Sequence, residues 1–193
     1  MGFGTIILAS ASPRRSELME LAGIPFSVVP AHINEEVLPG EQPTEHVMRL
    51  SREKAQAAAA KTGGRLFIGA DTVVVLDGRI MGKPVDEQDA YGMLSALSGR
   101  THEVITGFSL FDRESGVCLS RSVQTEVLFR RLGDEEIRQY IATGCPMDKA
   151  GAYAIQGRAV HFVRSIQGSY TNVIGLPMAE LYELLQTVRQ QQY

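Results

Sequence analysis

The chain has 193 residues and a net charge of −3, which argues against a protein that coats DNA or RNA and therefore needs a basic excess. Apolar residues make up 44% of the sequence and charged residues 21%, so wholesale disorder is excluded. Two cysteines are too few for a disulfide scaffold, and no apolar run approaches the roughly 20 residues of a membrane span. We expect a cytoplasmic protein, built as a single domain over residues 1–193, that binds neither a nucleic acid polymer nor a membrane.

Strand and helix patterns alternate along the chain. Apolar and β-branched runs predict strands at 5–9, 26–30, 66–70, 73–76, 79–81, 101–111, 117–129 and 162–166. The strand at 66–70 is expected to be interrupted at Asp71-Thr72. Asp77-Gly78 predicts a tight hairpin, because this dipeptide suits positive φ angles.

Helices fill the intervals between these strands. Helix-start signals occur at Ser12, Thr44, Asp86, Asp134 and Pro177. Ser12 is followed by Pro13, which suits the first helical position, and the last helix is expected to fray into Gln190–Gln192. The alternation predicts an α/β fold with a long, mixed, twisted β-sheet flanked by helices on both sides.

The segment from Ser10 to Arg15 places two arginines in the first turn of a predicted helix. The helix dipole already has its positive end there, so each charge costs some tenths of a kcal/mol unless an anion is bound. Backbone N–H groups, the hydroxyls of Ser10 and Ser12, and the guanidinium groups of Arg14 and Arg15 suit a phosphate. The alternative is that both arginines point to solvent or pair with nearby acids.

Lys54 lies on an otherwise apolar face of the second predicted helix. It falls at helical spacing from Val47, Leu50 and Ala58. A lysine at such a position either snorkels to solvent, which is the commoner outcome, or reaches inward toward an anion. The sequence leaves both outcomes open.

Three further charged positions are candidates for chemistry on a polyanion. Asp71 follows an apolar strand, and α/β sheets usually bind ligands at such strand ends. A carboxylate there orients a water, accepts its proton or holds a metal. The alternative is an aspartate that only caps a turn. Lys83 lies between Gly82 and Pro84, in a string that does not match a Walker motif. Glu35 lies in a predicted loop and is able to ligate Mg²⁺, although a glutamate in a loop is usually plain surface.

The glycine-rich stretch from Asp148 to Gly157 permits close approach of the backbone to a ligand, and the Gln156 amide offers a donor and an acceptor to a base edge.

The four histidines lack metal-ligand spacing, and zinc-protease, serine-hydrolase and Rossmann motifs are absent from the sequence. The basic and acidic candidates together suit a nucleoside triphosphate with Mg²⁺, but spacing alone does not prove that they converge.

Seven short strings resemble, in order along nearly the whole chain, the motifs of the Maf family of septum-formation-associated nucleotide pyrophosphatases. They occupy residues 8–15, 52–55, 69–72, 82–84, 98–102, 148–153 and 173–177. Each string is weak by itself, whereas the ordered set is highly specific. The resemblance implies a Maf/ITPase-like fold of two lobes with a central cleft.

The resemblance also implies an activity and a set of roles. The reaction would be hydrolysis of a nucleoside triphosphate between the α and β phosphates, to the monophosphate and pyrophosphate, with Mg²⁺ or Mn²⁺ bound. Asp71 would accept a proton from the attacking water, and Glu35 and Asp71 would hold the metal. Triphosphate binding would fall to the catalytic lysines Lys54 and Lys83 and to Ser10, Ser12, Arg14 and Arg15. A homodimer is compatible with the resemblance.

Three positions are similar to one branch of the family. The branch acting on 7-methyl-GTP looks like Ser-Pro-Trp-Arg-Arg, Ser-Asp-Gln and Ser-Glu-Gly, whereas this chain has Arg14, Thr72 and Gln156 in those motifs. These residues resemble the branch that hydrolyses dTTP and UTP, including modified pyrimidine nucleotides, and they are the candidates for substrate specificity. The alternatives are a nucleotide-binding regulator of septum formation without turnover and a pyrophosphatase for purines such as ITP.

Overall fold

The computed structural model describes residues 5–190, and in this part of the chain seven strands form one mixed α/β sheet flanked by helices. The strands are β1 (Ile6–Leu8), β2 (Phe26–Val28), β3 (Leu66–Leu76), β4 (Arg79–Met81), β5 (Thr101–Asp112), β6 (Cys118–Phe129) and β7 (Val163–Gln167). Their order is β2-β1-β3-β5-β6-β7, with β4 paired to β3. β1 is parallel to β2 and β3, whereas β4 and β7 are antiparallel to β3 and β6. The predicted mixed sheet is confirmed.

Six helices occur between or after these strands in the described residues. They are α1 (Pro13–Leu21), α2 (Pro43–Lys61), α3 (Glu87–Leu97), α4 (Asp134–Ile141), α5 (Tyr170–Ile174) and α6 (Met178–Gln190). Ser12 and Asp86 are the N-cap residues of α1 and α3, as predicted, whereas α2 is capped by Gln42 rather than Thr44. The predicted fraying beyond Gln190 lies outside the described residues. No helix within 5–190 is both long enough and apolar enough to cross a membrane.

β3 runs without a break through Asp71 and Thr72, so the prediction of an interruption there is wrong. The strand is buried on almost its whole length, and Asp71 lies in its middle rather than at its end. A carboxylate is tolerated there because a buried cation meets it, as described below. The predicted hairpin after β3 is confirmed, since Asp77 and Gly78 both have positive φ angles, of 52° and 75°.

The chain divides into two compact units, which share the strands β3, β5 and β6 along the sequence. The first comprises the chain up to Asp71, Thr106–Val123 and the chain from Gly175, and the second comprises Thr72–Ile105 and Gln124–Ile174. Each has its own apolar core, built in the first unit around Ile7, Ala55 and Phe67 and in the second around Leu94, Phe129 and Phe162. The single domain over residues 1–193 stays a prediction from the motifs.

In the first unit, α2 lies directly on the backbone of β3 and β5. A Cβ on Gly69 would lie 2.0 Å from the Ser51 carbonyl oxygen, and a Cβ on Gly107 would lie 2.4 Å from the Val47 carbonyl oxygen. Ser51 and Val47 are one helical turn apart, so the two glycines accept successive turns of the same helix. This contact fixes the depth at which the buried face of α2, with Lys54 on it, meets the sheet.

Candidate functional site

The first unit brings three of the predicted site residues together. The Lys54 Nζ atom lies 2.7 Å from Asp71 Oδ1 and 2.7 Å from Glu35 Oε1. Lys54 and Asp71 are only 7% and 8% exposed, whereas about half of the Glu35 side chain is open to solvent. Lys54 therefore reaches inward to anions instead of snorkelling, and the second of the two outcomes is confirmed.

Each of the three residues comes from a different element of the first unit. Lys54 belongs to α2, Asp71 belongs to β3, and Glu35 belongs to the loop between β2 and α2. Asp71 shares a face of β3 with Gly69, because side chains alternate along a strand. Since Gly69 is the point at which α2 touches β3, Lys54 is set beside Asp71.

The charge of this trio suits a divalent cation. Two carboxylates share one ammonium group, so one negative charge is left over. Carboxylate oxygens are hard ligands, and Mg²⁺ is usually held by one or two carboxylates together with substrate phosphates and waters. Within 5–190 no group of three or more His, Cys, Asp or Glu side chains is placed to hold an ion, and the two carboxylates match the sparse protein ligation that Mg²⁺ accepts. The residues present fit Mg²⁺ or Mn²⁺ in that way.

Arg15 lies buried at the start of α1 and joins three parts of the first unit. Its Nε donates to the Gly175 carbonyl at 2.8 Å, and its Nη1 donates to Ser10 Oγ and to the Ala70 carbonyl, each at 2.9 Å. Burial lowers the pKa of this guanidinium group, and the nearby Asp71 carboxylate opposes that shift. Arg15 does not point to solvent, and it fixes the backbone of β3 at the residue before Asp71.

The rest of the predicted phosphate-binding segment is less enclosed. Ser12 and Arg14 are half-buried. Although Ser12 is the N-cap residue of α1, its side chain makes no capping hydrogen bond, and its backbone N–H donates to Ser10 Oγ at 3.2 Å. The Ser12 hydroxyl is thus not engaged in capping the helix. A phosphate role for this segment stays a prediction.

The three remaining predicted residues belong to the second unit. Thr72 is half-buried in β3, Lys83 is exposed after β4, and Gln156 is half-buried before a short 3-10 turn. Two of the family-like strings meet here, because the Gly151 N–H donates to the Gly82 carbonyl at 3.0 Å. The roles of Thr72, Lys83 and Gln156 stay predictions.

Sequence reasoning missed a buried pair in the second unit. His102 Nε2 and the Tyr153 hydroxyl are 2.7 Å apart, and both rings pack edge-on against Phe129. Burial lowers the pKa of His102 to about 4 and raises that of Tyr153. Both residues belong to family-like strings, which was the available signal, but they are 51 residues apart and nothing in the spacing joins them.

Comparison with known proteins gives consistent results. The family model described as Maf-like protein matches residues 5–188. A dTTP/UTP pyrophosphatase from Geobacter sp. (strain M21) is 61% identical over 184 residues, which cover 95% of each chain. One from Geobacter sulfurreducens is 58% identical over 185 residues, or 96% of this chain and 97% of the relative. Among solved structures, a HAM1 protein from Coxiella burnetii has a TM-score of 0.52 at 19% identity, covering 96% of this chain and 98% of that one, which concerns the fold alone.

Proposed function

Because this chain belongs to the Maf family, we propose that it hydrolyses dTTP and UTP to the nucleoside monophosphate and pyrophosphate. Its curated relatives carry the name dTTP/UTP pyrophosphatase at 50–61% identity over nearly the whole chain, which supports this choice of substrates. One observation carries the chemistry: a buried lysine and two carboxylates meet at a single point of the first unit. Modified pyrimidine nucleotides are proposed as further substrates, which the enzyme would remove from the nucleotide pool.

In the proposed reaction a water molecule attacks the α phosphorus and the bond from that phosphorus to the α,β-bridging oxygen breaks. Pyrophosphate leaves with the bridging oxygen, and the proton of the water goes to Asp71. Lys54 occupies Asp71 Oδ1, so Oδ2 is the oxygen that takes the proton. Lys54 holds the carboxylate in place through this bond, and Arg15 holds the β3 backbone next to it.

Glu35 and Asp71 would hold a divalent cation, Mg²⁺ or Mn²⁺. Such an ion, when bound, neutralises phosphate charge and favours departure of pyrophosphate. Further neutralisation is proposed to come from Arg14 at the start of α1, where the backbone N–H groups of a helix start also favour an anion. The roles proposed for Lys83 in phosphate binding and for Thr72 and Gln156 in base selection rest on the family-like motifs.

The decisive experiment is pyrophosphate release from dTTP, UTP, ITP and 7-methyl-GTP by the wild type and by Asp71→Asn. We expect release from dTTP and UTP that stops with EDTA and returns with Mg²⁺, and a loss of about 10²–10⁴-fold in kcat for the variant. Asp134→Asn makes the same chemical change on the exposed surface of α4 and serves as the control.

Each result has a distinct meaning. A full rate for Asp71→Asn would remove Asp71 as the base. Binding of dTTP without release of pyrophosphate would favour the nucleotide-binding regulator. Substitution of Gln156 by leucine should change the ranking of the four nucleotides, and an unchanged ranking would contradict its role in base selection.

A further inference from the structure

The carboxylate of Glu35 has to be held in place by contacts of its loop. Residues 29–42 contain no strand or helix between β2 and α2, and Glu35 itself is exposed. A loop of this kind loses backbone entropy when it is fixed, at about 1–2 kcal/mol per residue in general. Something in the first unit must therefore order the loop if Glu35 is to stay beside Lys54.

Arg49, on α2, makes the contacts that can do this. Its Nη2 donates to the backbone carbonyl of Glu36 at 3.0 Å, one residue after Glu35. The same guanidinium group grips Glu41 at the end of the loop, with Nε to Oε1 at 2.6 Å and Nη2 to Oε2 at 2.8 Å. One planar side chain thus joins the middle of the loop, the end of the loop and the helix.

Glu41 is the buried centre of this cluster. Only 7% of its side chain is exposed, and Oε2 also accepts the Leu38 N–H and faces His46 Nδ1, each at 3.0 Å. The hydrogen bond from Arg49 holds the pKa of this carboxyl group well below its usual range. The cluster of Glu41, His46 and Arg49 therefore folds the segment 38–41 back onto α2.

We propose that Arg49 is a positioning residue that holds the loop against α2 so that Glu35 meets Lys54 and Asp71 with its carboxylate ready for a divalent cation. Glu35 and Glu36 are neighbours in the loop, and they contact α2 at Lys54 and Arg49, which lie about 7.5 Å apart along the helix axis. Attachment at two separated points fixes the direction of the loop as well as its distance. This inference rests on the proposed function only in taking Glu35 as a cation ligand.

The test is Mn²⁺ binding to the nucleotide-free protein, followed by electron paramagnetic resonance, for the wild type, Arg49→Met, Glu35→Gln and the double variant. Outer residues that orient metal ligands typically contribute 10–100-fold to affinity, so we expect Arg49→Met to weaken Mn²⁺ binding about 10-fold. In the Glu35→Gln background the same change should matter less than about twofold, because the residue through which it acts is absent. Arg49→Lys should recover only part of the affinity, since one ammonium group cannot make the forked contact.

Arg52→Met is the matched control, because it removes one positive charge from an exposed position of the same helix. It should bind Mn²⁺ as the wild type does. At saturating Mn²⁺, Arg49→Met should hydrolyse dTTP with a kcat within about threefold of the wild type, since the defect lies in metal affinity. If Arg49→Met does not fold, Glu41→Gln weakens the same contact while keeping the shape of the side chain, and a loss of Mn²⁺ affinity is expected there too.

Three results would overturn the proposal: wild-type affinity in Arg49→Met or in a folded Glu41→Gln, an equal loss in the Glu35→Gln background, or no saturable Mn²⁺ binding by the wild type. Failure of the proposed function is seen separately, as absence of pyrophosphate release from dTTP. The Mn²⁺ titration decides about Arg49 in either case.

Discussion

Replacing Gly69 with alanine tests whether the close contact between α2 and β3 determines both the stability of the fold and the position of Lys54 beside Asp71. The new Cβ would lie 2.0 Å from the Ser51 carbonyl oxygen and 2.6 Å from the Ala55 nitrogen, whereas Cβ contacts under 3.0 Å essentially do not occur. These neighbours are backbone atoms of a helix and cannot rotate aside. We therefore expect α2 to withdraw from β3 by about 1 Å.

The loss of stability depends on the face that α2 buries against the sheet. A gap of 0.5–1 Å forfeits roughly a quarter to a half of the dispersion attraction between facing atoms. Overpacking of a core typically costs about 1–3 kcal/mol. Because α2 buries residues from His46 to Ala58 along this face and the obstacle is backbone, we expect a loss at the upper end, about 3 kcal/mol in the free energy of unfolding.

Urea unfolding followed by circular dichroism measures this loss. Gly92→Ala is the matched control, because a Cβ added there, in the middle of α3, would meet nothing within 4 Å beyond the backbone of its own helix and its chain neighbours. Its free energy of unfolding should rise by up to about 1 kcal/mol. Displacement of Lys54 from Asp71 by 1 Å should also lower kcat about 10²-fold in Gly69→Ala alone. A free energy of unfolding within about 0.5 kcal/mol of the wild type would refute the reasoning.

Two further predictions concern residues outside the site. Arg113→Met removes a guanidinium group that donates to the Ala59 and Thr62 carbonyls at the end of α2 and covers the Phe67 ring. The free energy of unfolding measured with urea should fall by about 1 kcal/mol, and an unchanged urea midpoint would contradict this. His102 has a pKa of about 4 when folded and near 6.5 when unfolded, so the unfolded chain takes up the proton first as the pH falls. The free energy of unfolding of the wild type should fall by up to about 3 kcal/mol between pH 6.5 and 4, and that of His102→Gln should fall correspondingly less. If the free energy of unfolding changed equally with pH in both proteins, the lowered pKa of His102 would be disproved.

The order of helices and strands could be predicted because it depends on local signals. Ser12-Pro13 and Asp86 are helix-start signals in any surroundings, although of the two only Asp86 caps its helix through a side-chain hydrogen bond. Asp77-Gly78 favours a hairpin wherever the flanking strands are apolar. The continuity of β3 through Asp71 could not be predicted in the same way. It depends on a lysine 17 residues earlier in the sequence, which neutralises the carboxylate in the middle of a buried strand.

The candidate site shows the same division between local and distant causes. Lys54 was recognisable as a charge on an apolar helix face, but whether it turned inward depended on Gly69, which lets α2 approach β3. Arg49 gave no signal at all, because on α2 it resembles other surface arginines. Its importance comes from the path of the loop between β2 and α2, which no periodic pattern describes.

Lys54, Glu35 and Asp71 together carry a net negative charge, which affects how the site meets a triphosphate. A net charge of −3 was compatible with a positive pocket for a polyanion, but Lys54 is already neutralised by Glu35 and Asp71. A triphosphate that approached this trio without a cation would meet surplus negative charge, in surroundings that strengthen repulsion. On the proposed function, the positive charge that favours the nucleotide comes from the divalent ion and from basic side chains other than Lys54, such as Arg14 and Lys83. On the proposed function, metal and triphosphate should each raise the affinity for the other, because each supplies the charge that the other lacks.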